Sequence, residues 1–200
     1  MLYDRCKIAV LVSGGGTNLQ AILDAEKKGI IRSGNIVLTA SANPNVYALE
    51  RARKAGVETY VFLTEDDLIS VLIDKDIDLI VLAGFLRILS PDFTRRFPNR
   101  IINIHPALIP AFSGKGAYGL HVHEMALDRG VKVTGATVHF VDEIPDGGMI
   151  IDQKAVNVEE GDTPQSLQKR VMEQAEHIIL PRAVETVSKM ILKEIGRAHV

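Results

Sequence analysis

A single cysteine, Cys6, is the whole thiol content of this chain, and one thiol cannot close an internal disulfide. The expected setting is a reducing compartment, with Cys6 buried at the start of a strand. No apolar run approaches the ~20 residues that a membrane span requires. The polar, charged start, Met1 to Lys7, lacks the core of a signal peptide. These absences point to a cytoplasmic protein with no membrane partner. A basic excess is missing as well: 23 Lys and Arg stand against 25 Asp and Glu, for a net charge of −2. Nucleic acid is therefore not an expected partner, and a small anion has to be held by a local site, because the overall field does not attract it. Internal repeats, low-complexity tracts and linkers are also lacking. Gly196 to Val200, with His199, reads as a frayed tail.

What is present is the composition of a globular domain, 46% hydrophobic and 24% charged over 200 residues. Ile8-Ala-Val-Leu-Val12 is the continuous apolar run of a strand buried on both faces. It leads into Ser13-Gly-Gly-Gly-Thr-Asn18 and then a helical pattern through Leu19, Ile22 and Leu23, stopped near Gly29. The unit recurs in kind. Strands are expected at Ile36 to Ala40, Thr59 to Leu63, Leu79 to Ala83 and Ile101 to His105. Between them, helices are expected over Val46 to Ala55, Leu68 to Asp74 and after Ser90-Pro91. After Pro106 the rhythm changes to a Pro- and Gly-rich loop, a helix over His121 to Arg129 and two strands, Lys132 to Val141 and Met149 to Val158. A long final helix is expected from Gln165 to about Lys193, kinked or broken at Pro181. The predicted class is α/β: a Rossmann-like, mostly parallel sheet with helices on both faces and an antiparallel C-terminal strand pair.

Three constellations can carry chemistry. Glycines between a strand and a helix let the backbone approach an anion, and Thr17 and Asn18 add donors. The pattern has neither the spacing of a dinucleotide fingerprint nor the lysine of a P-loop, so it suits a monophosphate better. Asn103 and His105 lie two apart on a strand and so share a face at its carboxyl end, where open α/β sheets bind ligands. An amide donor beside an imidazole can hold an oxyanion and move a proton. Third, Asp142 to Gly148 brings acids and glycines together, and a carboxylate near His105 is expected to raise the imidazole pKa. Read alone, that loop is an ordinary acidic turn. His121 and His123 form an H-x-H pair with no third ligand at metal spacing, so no metal is expected. His139 reads as structural or supporting.

The order S-G-G-G-T-N-L-Q, L-A-G-F-L-R-I-L-S-P, N-I-H-P-A-L-I-P, V-H-F-V-D-E-I-P-D-G-G and A-E-H-I-I-L-P, from about Lys7 to about Val187, resembles the phosphoribosylglycinamide formyltransferases, folate-dependent enzymes of purine synthesis. The resemblance implies one formyltransferase domain over residues 1–200, with a phosphate-binding half at about 1–100 and a folate-binding, catalytic half at about 101–195. It implies that Gly16, Thr17 and Asn18 hold the phosphate of the acceptor and that Glu176 contacts its ribose. It assigns Leu86, Arg87, Ile88 and Leu89, with Asn103, Val141, Asp142 and Glu143, to 10-formyltetrahydrofolate, the co-substrate. Asn103, His105 and Asp146 match the catalytic trio, with His105 protonated, and neither metal nor nicotinamide is called for. The implied partners are small-molecule substrates, and the chain acts as a monomer or homodimer. The stretch from Val57 to Leu79 is shorter than the resemblance leads one to expect. Two other readings use similar residues: a formyltetrahydrofolate hydrolase, and a non-catalytic folate- or nucleotide-binding module. A methionyl-tRNA formyltransferase would add a basic RNA-binding domain.

Overall fold

The computed structural model describes residues 5–198, with the side chains of 197 and 198 left aside. The expectation for His199 and Val200 falls outside the described residues. Seven strands follow the order β3-β2-β1-β4-β5-β6-β7. They are β1 (Cys6–Leu11), β2 (Gly34–Ser41), β3 (Glu58–Val61), β4 (Leu79–Leu82), β5 (Ile101–His105), β6 (Val133–Phe140) and β7 (Ile150–Asn157). The helices are α1 (Thr17–Lys27), α2 (Tyr47–Lys54), α3 (Glu65–Asp74), α4 (Pro91–Arg96), α5 (Leu120–Arg129), α6 (Pro164–Val171) and α7 (His177–Ala198). The chain divides into two compact units. One holds the residues up to Leu89 and those from Pro181 onward, and the other is Ser90–Leu180.

In the first unit β1 pairs in parallel with β2 and with β4, and β2 with β3. Ile8, Ala9, Val10 and Leu11 are fully buried, as are Leu79, Ile80 and Val81, which explains why these strands read as unbroken apolar runs. Cys6 is buried where β1 begins. Because β1 lies between β2 and β4, the strand order reverses there. The loops after β1 and β4 thus leave the carboxyl ends on either side of a topological switch point. Thr64 caps α3 by accepting the Asp67 N–H. The last segment of this unit, within α7, is tied down by Glu185. Its carboxylate accepts the Arg32 N–H at 2.7 Å, the Ser33 N–H at 2.9 Å and the Ser33 hydroxyl at 3.1 Å.

In the second unit β6 runs antiparallel to both β5 and β7. Ser90 caps α4, with Pro91 at its first position, and Thr163 caps α6 through a reciprocal box with Ser166. The long terminal helix departs from expectation. Its irregularity is a π-helical turn, Met172–Glu176, set between α6 and α7, and α7 continues through Pro181. Proline has no N–H for the carbonyl four residues back and crowds it. The wider turn lies immediately before that carbonyl, at His177.

The Glu185 anchor is open to test. Glu185→Ala leaves two backbone donors without their charged acceptor, and unfolding in urea should show a loss of about 2 kcal/mol. A change below about 0.5 kcal/mol would mean that water replaces the carboxylate at no cost.

Candidate active site

The candidate residues fall into two sets, one in each unit. In the first unit, β1 ends in Ser13, Gly14 and Gly15, and Gly16 enters α1 at φ 75°, the left-handed region. A Cβ at Gly16 would lie 2.7 Å from the Ala48 Cβ and 2.8 Å from its Cα, so only glycine fits both the torsion and the space. No side chain caps α1. Its first-turn N–H groups, with the positive end of the helix dipole behind them, are therefore not taken up by a capping side chain, an arrangement that suits an anion. Thr17 is exposed at this turn and Asn18 is buried.

The loop after β4 is bound to the same turn. The Ser13 N–H donates to Gly84 O at 3.1 Å, and the Leu86 N–H donates to the Ser13 hydroxyl at 3.0 Å. Within that loop Leu86 and Ile88 are exposed apolar side chains, 62% and 72% accessible, while Leu89 is buried. The Arg87 guanidinium stands 5.7 Å from the centroid of the Phe62 ring. Exposed leucine and isoleucine beside a cation form a surface suited to a flat, partly polar ligand.

In the second unit the antiparallel register sets the geometry. Asn103 on β5 pairs with His139 on β6, and His105 pairs with Thr137. Asn103 Nδ2 is 3.2 Å from His139 Nε2. His139 Nδ1 lies 2.8 Å from the Phe140 carbonyl, which can only accept, so Nδ1 carries the proton and Nε2 accepts from the Asn103 amide. The second hydrogen of that amide has no partner among the described residues. His105 follows the same logic: its Nε2 donates to the Phe112 carbonyl at 2.8 Å, leaving Nδ1 as the basic nitrogen. Asp146 faces both rings, with Oδ2 3.6 Å from His105 Nδ1 and Oδ1 3.5 Å from His139 Nε2. The Gly114 N–H donates to Asp146 Oδ2 at 2.8 Å.

Holding this cluster requires strained backbone. Phe112 and Asp146, neither of them glycine, adopt φ 50° and 56° on either side of His105. Asp146 is followed by glycines that cannot be replaced in place: a Cβ at Gly148 would lie 1.9 Å from Phe140 O. Asp142 closes the loop by accepting the Ile144 N–H at 2.8 Å, Glu143 pairs with Arg95 at 2.9 Å, and the Val141 N–H donates to Ile101 O. Thr137 fastens the segment after His105. Its hydroxyl donates to Ala107 O at 2.7 Å and accepts the Ile109 N–H at 3.1 Å and a Gln153 amide hydrogen at 2.9 Å. Glu176, buried, sits in the π-helical turn, a form of helix that recurs at functional sites.

The electrostatics correct one expectation. Asp146 does favour the charged form of His105, as does the Phe112 carbonyl, but burial outweighs both, and the His105 pKa lies below its ordinary value. The resting ring is neutral, with its proton on Nε2, and is not the imidazolium expected from the sequence. Burial also pushes Asp146 upward, yet the Gly114 N–H and the pull of the two neighbouring imidazoles, exerted when either ring carries a second proton, outweigh it, and its pKa is lowered. His139, read from sequence as a supporting residue, joins Asn103 to Asp146. The signal that could have found it is the pair Thr137 and His139, two apart on a strand like Asn103 and His105. The two members of the H-x-H pair diverge: His121 is exposed beside Glu124, and His123 is fully buried. Among the described residues no group of three or more His, Cys, Asp or Glu is placed to hold a metal, and no helix is long and apolar enough to cross a membrane.

Comparison with known proteins follows the same lines. The formyl transferase family matches residues 6–184. This chain belongs to that family. It is 38% identical over 199 residues to the chloroplastic phosphoribosylglycinamide formyltransferase of Arabidopsis thaliana, covering 94% of this chain and 68% of the relative. The trifunctional purine biosynthetic protein adenosine-3 of Gallus gallus is 43% identical over 204 residues. That match covers 98% of this chain, which spans only 20% of the relative's length. Among solved structures, glycinamide ribonucleotide transformylase 1 of Symbiobacterium toebii superimposes with a TM-score of 0.85 at 42% identity, over 92% of this chain and 88% of that one. The formyl transferase fold is thus present in its mixed seven-stranded form, with an antiparallel C-terminal pair.

Buried His123 gives this site a pH signature. Neither ring nitrogen finds a partner among the described residues, and burial, with the charge of His105, pushes its pKa down to about 4. Unfolded, the same ring takes its proton near 6.5. The stability that its neutral form contributes is complete above 6.5 and lost as pH falls from there to 4, about 3 kcal/mol in all. Urea unfolding of His123→Gln near neutral pH and again near pH 4 should show that much less acid destabilisation than the parent. Equal acid sensitivity would show that His123 is not the group being charged.

Proposed function

We propose that this chain transfers the formyl group of 10-formyltetrahydrofolate to the primary amine of phosphoribosylglycinamide, a step of purine synthesis. The carrying observation is the cluster at the end of β5, where Asn103, His105, His139 and Asp146 combine an oriented amide, a neutral imidazole and a carboxylate behind it. Family membership and the names of the relatives support the same reaction. Residues 1–200 are read as one formyltransferase domain, working as a monomer or homodimer in the cytoplasm.

The chemistry follows from the groups present. A neutral amine attacks the formyl carbon, giving a tetrahedral species with an oxyanion and an ammonium. The remaining amide hydrogen of Asn103 donates to the oxyanion. Neutral His105 takes a proton from the ammonium at Nδ1, the nitrogen beside Asp146, and the imidazolium is stabilised by that carboxylate. The C–N bond to folate then breaks, and His105 returns the proton to the departing nitrogen. The net change moves one formyl group one way and one proton the other, and no step calls for a metal or a nicotinamide. In this reading Gly16, Thr17 and Asn18 hold the acceptor's phosphate and Glu176 its ribose. Leu86 to Leu89, with Asn103, Val141, Asp142 and Glu143, hold the folate.

The deciding assay mixes the protein with 10-formyltetrahydrofolate, with and without the phosphorylated amine, and follows deformylated folate by absorbance. Turnover only with the amine, abolished in His105→Ala, is expected. Equal turnover without amine would make the chain a hydrolase, and no turnover would make it a binding module. Asn103→Ala should lower kcat by about 10²–10³-fold.

The pH profile has a fixed sign. Because the His105 pKa lies below its ordinary value, the acid limb of kcat/KM should fall at a pH below 6.5. Asp146→Asn removes a charge that raises that pKa, so it should move the limb lower still while reducing kcat. A shift toward higher pH would contradict this assignment of the groups.

A further inference from the structure

The glycine-rich turn does not stand alone, because α2 is packed onto it. The Ala48 N–H donates to Gly14 O at 3.1 Å. Arg51, half-buried one turn further along, donates from Nε to Gly15 O at 2.8 Å and from Nη1 to Gln20 Oε1 at 3.1 Å. Its guanidinium carbon lies 5.0 Å from the centroid of the Tyr47 ring, which holds the plane of the fork. The Arg51 Cδ would also lie 3.4 Å from a Cβ at Gly16. One side chain thus joins the turn, the first turn of α1 and the aromatic ring of α2.

The consequence follows from peptide geometry. In a planar trans peptide the C=O and the next N–H point in opposite directions. Fixing Gly14 O on Ala48 directs the Gly15 N–H away from α2, and fixing Gly15 O on Arg51 does the same for Gly16. Two carbonyl oxygens that would repel an anion are turned toward α2, and two donors are turned outward. Glycine on both sides gives the peptide between Gly15 and Gly16 freedom to rotate, and the Arg51 fork fixes its carbonyl. Overall charge offers no substitute, at −2.

We propose that Arg51 is a positioning residue that makes this turn selective for a phosphorylated acceptor, by holding the Gly15 carbonyl away from the anion and the Gly16 amide toward it. This rests on the reading of the turn as the phosphate site. Arginine suits the task because its planar fork engages two acceptors at once, Gly15 O and Gln20 Oε1, while stacking on Tyr47. A lysine offers charge but no fork.

The test compares kcat/KM for phosphoribosylglycinamide with that for the same amine lacking its phosphate, in the parent, Arg51→Met and Arg51→Lys. The parent should prefer the phosphorylated amine. Absence of any preference would sink the reading of the turn itself, whatever Arg51 does. Given that preference, Arg51→Met should lower it by about 10- to 100-fold, the size expected for losing a charge-assisted hydrogen bond. The loss should appear in KM for the phosphorylated amine rather than in kcat. Arg51→Lys should recover only part of it and also guards against a Met variant that does not fold. Unchanged preference in Arg51→Met, or full recovery in Arg51→Lys, would overturn the proposal, the second by making Arg51 a point charge and nothing more.

Discussion

A carboxylate set between two imidazoles is the constraint on which the second unit depends. Asp146 lies within 3.6 Å of His105 and 3.5 Å of His139, and it is largely shielded from water. Burial of a carboxylate is costly unless donors and opposite charge compensate it. Here the compensation comes from the Gly114 N–H, and from either ring when it is protonated. Much of the surrounding backbone serves that arrangement. The left-handed torsion at Asp146, the glycines after it and the left-handed Phe112 that offers its carbonyl to His105 are each locally unfavourable. They persist because the antiparallel pair β5–β6 and the Thr137 hydroxyl hold the flanking chain from several directions.

In the first unit the governing fact is the reverse: the first turn of α1 keeps donors that no side chain caps. Helices α3, α4 and α6 close their own first turns with Thr64, Ser90 and Thr163. Helix α1, like α2 and α5, does not, and in α1 the residue in that place is a glycine whose torsion and crowding against Ala48 exclude a side chain. A capping serine there would satisfy the donors that the turn presents. The absence of a cap and the packing of α2 are therefore one feature seen from two sides.

The physical basis of each signal explains what could be read from the residues alone. Ile8 to Val12 and Leu79 to Ala83 were legible because a parallel strand buried on both faces leaves no polar alternation. Ser13 to Asn18, Thr64 and Ser90-Pro91 were legible because turn and cap chemistry is local. His139 was undervalued because its importance lies in register: opposite Asn103 it is a hydrogen-bond partner, and one place along it would face the other side of the sheet. The π-helical turn carrying Glu176 also escaped notice, since nothing local distinguishes it from the α-helical pattern around it. Proline drew attention to 181, while the chain widened at 172–176.

The sign of the His105 shift was hidden for a related reason, and it changes the chemistry. A neighbouring carboxylate is visible in sequence, whereas the degree of burial is not. Taken alone, Asp146 argues for a resting imidazolium. Such a ring could donate to an oxyanion, but it could not take the proton that an attacking amine must lose. Burial reverses the balance and leaves Nδ1 free to accept. In the proposed reaction Asp146 acts on the imidazolium that forms, because its attraction is stronger for the charged ring than for the neutral one. On that proposal desolvation keeps the base ready and the carboxylate limits how weak that base becomes, so that a single imidazole can both receive a proton and return it.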